Sequence, residues 1–228
     1  MSLIKENVEQ IRENIKRAAL KSGRSEDDIT LIGVTKTVGC ERINELLDVG
    51  VFNLGENRVQ ELLSKYDELG SRPTWHLIGQ LQTNKVKYIA DKVSLIHSVD
   101  SVKLASEINK HALKLGKIID VLVEINVAGE GTKAGIAPDE TRRFIEDISG
   151  FSNIFIKGLM TIAPYVENPE ENRGNFSIMR ELFIDKALIL GDNVDMHVLS
   201  MGMTGDYEVA IEEGSTMVRI GTGIFGSR

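Results

Sequence analysis

The hydropathy of this chain switches repeatedly between two periods, and that alternation limits its fold more than any single residue. Short apolar runs occur at Ile29–Val34, Val51–Leu54, Thr74–Ile78, Val93–His97, Ile118–Asn126, Ile154–Ile162, Met196–Leu199 and Met217–Ile220. Each reads as a strand. Between them lie stretches with apolar residues at helical spacing. One is Val59, Leu62, Leu63, Tyr66 and Leu69, closed by Gly70; another is Val102, Ala105, Ile108, Ala112 and Leu115. Ser101 caps the second and Gly116 stops it. A further helix, Leu3–Leu20, precedes the first strand, with Ile4, Val8, Ile11, Ile15, Ala18 and Ala19 on one face. Ser2 is placed to cap it and Gly23 to end it.

Strict alternation of strands with helices argues for a parallel sheet. Such a sheet is covered on both faces, and the unbroken run Val121-Leu122-Val123 fits burial on both. Eight β/α units predict an α/β fold, a single closed (β/α)8 barrel of the TIM type spanning residues 1–228 as one domain. An open doubly wound sheet is the alternative. After the eighth run only Gly221 to Arg228 remain, too few for a closing helix. The N-terminal helix is therefore expected to complete the outer ring.

Composition narrows the setting. With 42% hydrophobic and 27% charged residues in 228, intrinsic disorder is excluded. The formal net charge of −7 disfavours sequence-independent binding to nucleic acid or anionic membranes. Cys40 is the sole cysteine, so no internal disulfide can form and a reducing compartment is expected. The N-terminus becomes charged at Lys5 and lacks a signal-peptide core, and no apolar run approaches the roughly 18 residues of a membrane span. These features predict a soluble, cytoplasmic protein, and its short chain and acidic surface are compatible with a monomer.

In a β/α barrel the site lies at the C-terminal ends of the strands, and phosphate often binds in the loops after strands seven and eight. Both loops are unusual here. The seventh strand runs into Ser200-Met201-Gly202-Met203-Thr204-Gly205-Asp206 and a short helix through Ile211; the eighth runs into Gly221-Thr222-Gly223. Glycines let backbone N–H groups approach an anion, and hydroxyls add donors. Side by side, these loops suit a phosphomonoester; each alone is also an ordinary glycine turn.

Lys36 ends the first strand on the same face as Val34 and Ile32, which places it at the barrel mouth. A lysine partly withdrawn from water has a lowered pKa and a nucleophilic amine suited to Schiff-base chemistry. The plainer reading is a solvated strand end. Arg219 is a charge inside Met217-Val218-Arg219-Ile220, and a closed barrel has no edge from which it could point away. It is expected to meet polar partners in the site. His76 and His197 interrupt strands and read as hydrogen-bonded core histidines. Met160, Met201 and Met203 are expected to line the pocket. The four histidines have neither the spacing nor the cysteine partners of a metal site.

Several segments are familiar together: Val34-Thr35-Lys36-Thr37, Leu54-Gly55-Glu56-Asn57-Arg58-Val59-Gln60-Glu61, and Trp75-His76-Leu77-Ile78-Gly79-Gln80-Leu81-Gln82-Thr83-Asn84-Lys85. Gly158-Leu159-Met160-Thr161, Leu199-Ser200-Met201-Gly202-Met203 and the stretch from Gly214 to Thr222 follow in the same order. Together they resemble the pyridoxal phosphate homeostasis protein family, over essentially the whole chain from Lys36 to Gly226. The resemblance implies the barrel half of alanine racemase, fold type III of the pyridoxal phosphate proteins, without its second β domain. It implies pyridoxal 5′-phosphate as cofactor, held as a Schiff base on Lys36. Ser200, Thr204, Gly221 and Thr222 would hold the phosphate, Arg219 would face the pyridine nitrogen, and Asn57 would lie near the ring. Thr204 departs from the family pattern, which usually shows serine there; the hydroxyl survives, and the extra methyl must be accommodated.

Two functions follow. The first is a non-catalytic protein that buffers or delivers pyridoxal phosphate, with apo-forms of pyridoxal phosphate enzymes as possible recipients. The second is a pyridoxal phosphate-dependent amino-acid racemase. Racemisation needs a base on each face of the carbanion, and fold type III racemases draw the second from a domain beyond the barrel, which this sequence does not include. The binding protein is therefore the expected reading. A cofactor-free Schiff-base aldolase fits Lys36 and the phosphate loops but leaves Arg219 without a role.

Overall fold

The computed structural model describes residues 2–131, 134–185 and 191–226. It begins with α1 (Leu3–Lys21), which leads into β1 (Thr30–Val34) and α2 (Cys40–Asp48). Then come β2 (Asn53–Glu56), α3 (Val59–Leu69), β3 (Thr74–Leu77) and the single turn α4 (Val86–Ile89). The second half continues with β4 (Leu95–Val99), α5 (Val102–Leu115), β5 (Ile119–Glu124), α6 (Thr141–Ser149) and β6 (Ile154–Met160). The chain closes with α7 (Arg173–Ile184), β7 (Val194–Met203), α8 (Tyr207–Glu212), β8 (Met217–Ile220) and the turn α9 (Thr222–Phe225).

The eight strands form a closed barrel in sequence order, every neighbouring pair parallel. Closure is made by β1 against β8, with Ile32 opposite Arg219 and Gly33 opposite Ile220. The open doubly wound alternative is thereby excluded. The helix α1 packs against α2 on one side and α8 and α9 on the other. It fills the gap in the outer ring, as its position before β1 predicts. Its apolar face, Ile4, Val8, Ile11, Ile15, Ala18 and Ala19, is buried. Ser2 occupies the N-cap position without capping, because its hydroxyl donates to Glu45 instead, at 2.7 Å. Ser101 does cap α5, accepting from the Leu104 N–H.

Two apolar layers result. Outward-facing strand residues pack with the helices; inside, Ile32, Leu95, Leu122, Met160 and Met217 form a separate plug, with Val198 against it. Met160 thus lies inside the barrel and Met201 in the outer core, so of the three methionines expected at the pocket only Met203 lines it. Strand boundaries differ in β7, which runs Val194–Met203 rather than Met196–Leu199, and in β2, which starts at Asn53 and ends at Glu56 rather than covering Val51–Leu54. Polar residues enter this strand because each finds a buried partner: Asn53 meets His76, and Glu56 meets Lys65. His197 also departs from expectation. Near the start of β7 it is exposed and its ring lies against Asp195, so it is no core histidine.

Between β6 and β7 the approach is closer than side chains permit. Gly158 has φ 147°, and a Cβ there would lie 1.9 Å from the Val198 carbonyl oxygen. Strain and overpacking add, so Gly158→Ala should lower unfolding stability by about 3 kcal/mol or more. Urea titration checks this, and a loss comparable to that of an exposed substitution would contradict the packing described.

Candidate functional site

At the C-terminal end of the barrel a cavity of about 260 Å³ opens. Lys36, Thr204, Gly205, Arg219, Gly221 and Thr222 line it, together with Val34, Met203, Asp206 and a wall of Pro164, Tyr165 and Val166 after β6. Closure of β1 on β8 thus brings Lys36 and Arg219 to one cavity. Five of the seven residues anticipated from sequence meet there. Lys36, however, is exposed, so the withdrawal from water expected for it is not found.

The two remaining residues lie elsewhere. Asn57 is half-buried just past the end of β2 and does not line the cavity. Ser200 is fully buried beneath it, with its hydroxyl between His97 Nδ1 at 3.1 Å and Arg219 Nη1 at 2.6 Å.

The loops after β7 and β8 are joined, since Gly223 N–H donates to Thr204 Oγ1 at 3.3 Å. With one lone pair engaged there, the Thr204 O–H remains able to donate to an anion. The additional methyl of Thr204 sits against Gly223, where a Cβ would come within 3.1 Å of it. Asp206, which sequence reasoning left without a role, braces the first loop. Its carboxylate accepts from Met203 N–H at 2.7 Å and from Asn172 Nδ2 at 2.9 Å. A short-range carboxylate bonding back to a loop N–H is the signal that could have found it.

Arg219 is 3% exposed and, among the described residues, donates to neutral oxygens: Ser200 Oγ, and the Thr161 carbonyl at 2.7 Å. Burial lowers its pKa to about 10, with Glu124 and Asp206 opposing, so it is a cation at neutral pH. A buried cation held by neutral acceptors, a nearby lysine and two hydroxyl-bearing glycine loops make a donor set suited to an anionic ligand.

Beneath Arg219 a hydrogen-bonded row crosses the barrel interior. Ser200 meets His97, His97 Nε2 meets His76 Nδ1 at 3.1 Å, and His76 Nε2 meets Asn53 Oδ1 at 3.1 Å. Burial lowers the His76 pKa to about 4 and holds His97 well below the usual range, helped by His76 and Arg219, so both rings are neutral. Arginine can only donate and Asn53 Oδ1 only accepts. One proton assignment satisfies every contact: Arg219 to Ser200, Ser200 to His97, His97 to His76, and His76 to Asn53. His97, which the sequence reading passed over, is the middle of this row.

Glu124 at the end of β5 is buried and its Oε2 has no hydrogen-bond partner among the described residues. Burial, and secondarily Asp100, raise its pKa from 4.5 to about 7 although Arg219 opposes. The folded state therefore holds this proton more tightly than the unfolded chain and loses stability as pH rises from about 4.5 to about 7. Glu124→Gln should be near neutral at pH 4 and stabilising by roughly 3 kcal/mol at pH 8, where the folded state has lost that proton. Chemical denaturation across that range tests it; a pH-independent difference would mean that Glu124 titrates alike in both states.

Comparison with known proteins agrees with this geometry. Residues 7–228 match the family model described as alanine racemase, N-terminal domain. A protein of Aquifex aeolicus called pyridoxal phosphate homeostasis protein is 48% identical over 98% of this chain and 97% of its own length. The Escherichia coli protein of that name is 36% identical, over 100% and 98%. Among solved structures, PipY of Synechococcus elongatus with pyridoxal phosphate bound is 31% identical, with a TM-score of 0.84 over 98% of this chain and all of that one. Clostridium difficile alanine racemase shares the fold, at 20% identity and a TM-score of 0.73, and this chain covers 56% of its length. The chain thus belongs to the pyridoxal phosphate homeostasis protein family, within the wider group that shares the alanine racemase N-terminal domain.

Proposed function

We propose that this protein binds pyridoxal 5′-phosphate as a Schiff base on Lys36 and serves to buffer the cofactor or deliver it to apo-forms of pyridoxal phosphate enzymes. The observation that carries the reading is the single cavity shared by Lys36, Arg219 and the paired loops. When bound, the cofactor supplies an aldehyde for covalent capture and a phosphate for non-covalent recognition. The Lys36 amine would condense with the aldehyde, one water carrying off the aldehyde oxygen and both amine protons. Thr204, Gly221 and Thr222 would receive the phosphate, with Gly205 beside them. Ser200, expected among the phosphate ligands, is buried outside the cavity lining and would act one step away instead, as the acceptor that orients Arg219 toward the pyridine nitrogen. Asn57 would stand near the edge of the ring.

The non-catalytic reading draws support from the relatives, which carry the homeostasis name over nearly their whole length. The cavity lining agrees. Among its described residues, the proton-transfer groups besides Lys36 are Tyr165, which is 94% exposed, and Asp206, which braces its loop. Neither is held as a base opposite Lys36. Arg219 stays protonated and can only donate, so opposite the ring nitrogen it would keep that nitrogen unprotonated and leave the ring a weaker electron sink.

Borohydride reduction of the loaded protein should fix the label on the peptide containing Lys36, and Lys36→Ala should abolish it. A label on another lysine would refute the assignment. Replacing the hydroxyls of Thr204 and Thr222 with Val should weaken pyridoxal phosphate far more than unphosphorylated pyridoxal, since each donor to a charged oxygen contributes about 1.5–3 kcal/mol. Equal weakening would place the phosphate elsewhere.

Loaded protein should not exchange the α-proton of alanine or other common amino acids with solvent deuterium at an enzyme-like rate. Lys36-dependent turnover near 1 s⁻¹, the low end of typical enzymes, would establish the racemase instead.

A further inference from the structure

Behind Lys36, on the side of β1 away from the cavity, lies a buried ion cluster that the cofactor reading does not use. Lys65 on α3 is 6% exposed. Its ammonium donates to the Thr35 carbonyl at 2.6 Å, to Glu56 Oε1 at 2.6 Å and to Glu61 Oε1 at 2.8 Å. Thr35 Oγ1 donates to Glu56 Oε1 at 2.5 Å. Glu61 Oε1 also accepts the backbone N–H of Thr37. The cluster therefore grips both peptide units that flank the Lys36 Cα: the carbonyl before it and the N–H after it.

Two features show that stability alone does not explain this arrangement. Thr37 has φ 63°, a left-handed conformation that a β-branched residue adopts only when its surroundings impose it. A buried lysine between two carboxylates is also expensive to desolvate, and Glu56 Oε2 has no hydrogen-bond partner among the described residues. Strain beside a reactive residue, maintained by a costly ion cluster, is the pattern of a preorganised site. Glu61 is ionised in it: burial works against the charge, but hydrogen bonds from Lys65 and the Thr37 N–H outweigh burial and hold its pKa below the usual range.

We infer that Lys65, Glu56 and Glu61 are positioning residues for Lys36, fixing the backbone on both sides of it so that its side chain leaves toward the cavity mouth. This rests on the reading that Lys36 captures the cofactor aldehyde. None of the three lines the cavity; they act by making the Lys36 Cα–Cβ direction unique. Their contribution should appear in covalent capture and leave non-covalent recognition unchanged.

Glu61→Ala, Glu61→Gln and Thr37→Gly separate the possibilities. Three quantities are read: amide exchange at Thr37, the rate of borohydride-trapped labelling at Lys36, and affinity for pyridoxine 5′-phosphate, which has the ring and phosphate but no aldehyde. Glu61→Ala removes the acceptor of both the Thr37 N–H and Lys65, and should speed Thr37 exchange and slow labelling by about tenfold or more. Affinity for pyridoxine 5′-phosphate should stay within about twofold, since no contact to it changes. Glu61→Gln keeps an acceptor for the Thr37 N–H and should recover most of the labelling rate. Thr37→Gly accepts the left-handed conformation without strain, so it folds even where Glu61→Ala does not, and it should still slow labelling by freeing the segment.

Unchanged labelling in Glu61→Ala or Thr37→Gly overturns the inference. So does a parallel loss of labelling and pyridoxine 5′-phosphate affinity, which marks general damage to the site. Absence of label on Lys36 in the unmodified protein overturns the cofactor reading itself, an outcome distinct from the other two.

Discussion

The pairing of β1 with β8 is the contact on which the rest of the molecule depends. It aligns Ile32 with Arg219 and carries Lys36, four residues further along, to the same end of the barrel. It also removes the sheet edge, and that alters what a charged residue inside β8 can mean. On an open edge Arg219 would turn to water. In the closed barrel it is surrounded, and it persists because Ser200 and the Thr161 carbonyl take its protons. A buried cation facing a cavity is thus a product of topology as much as of sequence.

Around that cation the barrel sorts its ionisable groups by depth. At the mouth Lys36 remains in contact with solvent. Just below, Arg219 is charged and Glu124 carries a raised pKa. Deeper still the histidines are neutral, and the apolar plug of Ile32, Leu95, Leu122, Met160 and Met217 fills the remaining interior. Positive charge is concentrated at the level where an anionic ligand would enter.

How much of this the sequence disclosed depended on whether the signal was local. β8 is found at the same residues, Met217–Ile220, because a short, mainly apolar run closed by Gly221 leaves little choice. β2 was displaced because its polar ends, Asn53 and Glu56, look like loop until their partners on β3 and α3 are known. The same limit applied to the site. Lys36, Thr204, Arg219 and the β8 loop were legible from motif and strand position. His97, Asp206 and Lys65 were not, since each draws its role from a residue brought to it by folding. Lys36 shows the reverse error: strand alternation gave its face correctly but could not say how far the mouth opens.

The row from Arg219 to Asn53 has one further implication. All of its hydrogens point the same way, from the cavity end toward the opposite end of the barrel, because the guanidinium at one terminus can only give and the amide oxygen at the other can only receive. Such a row has a polarity, like a line of compass needles, and no member can turn alone without setting two donors or two acceptors face to face. Residues at opposite ends of the barrel, on β2 and β8, are therefore not free to vary independently. Exchanging Asn53 for a donor would be felt first at the ring nitrogens and finally at the arginine, with no atom of the cavity itself replaced.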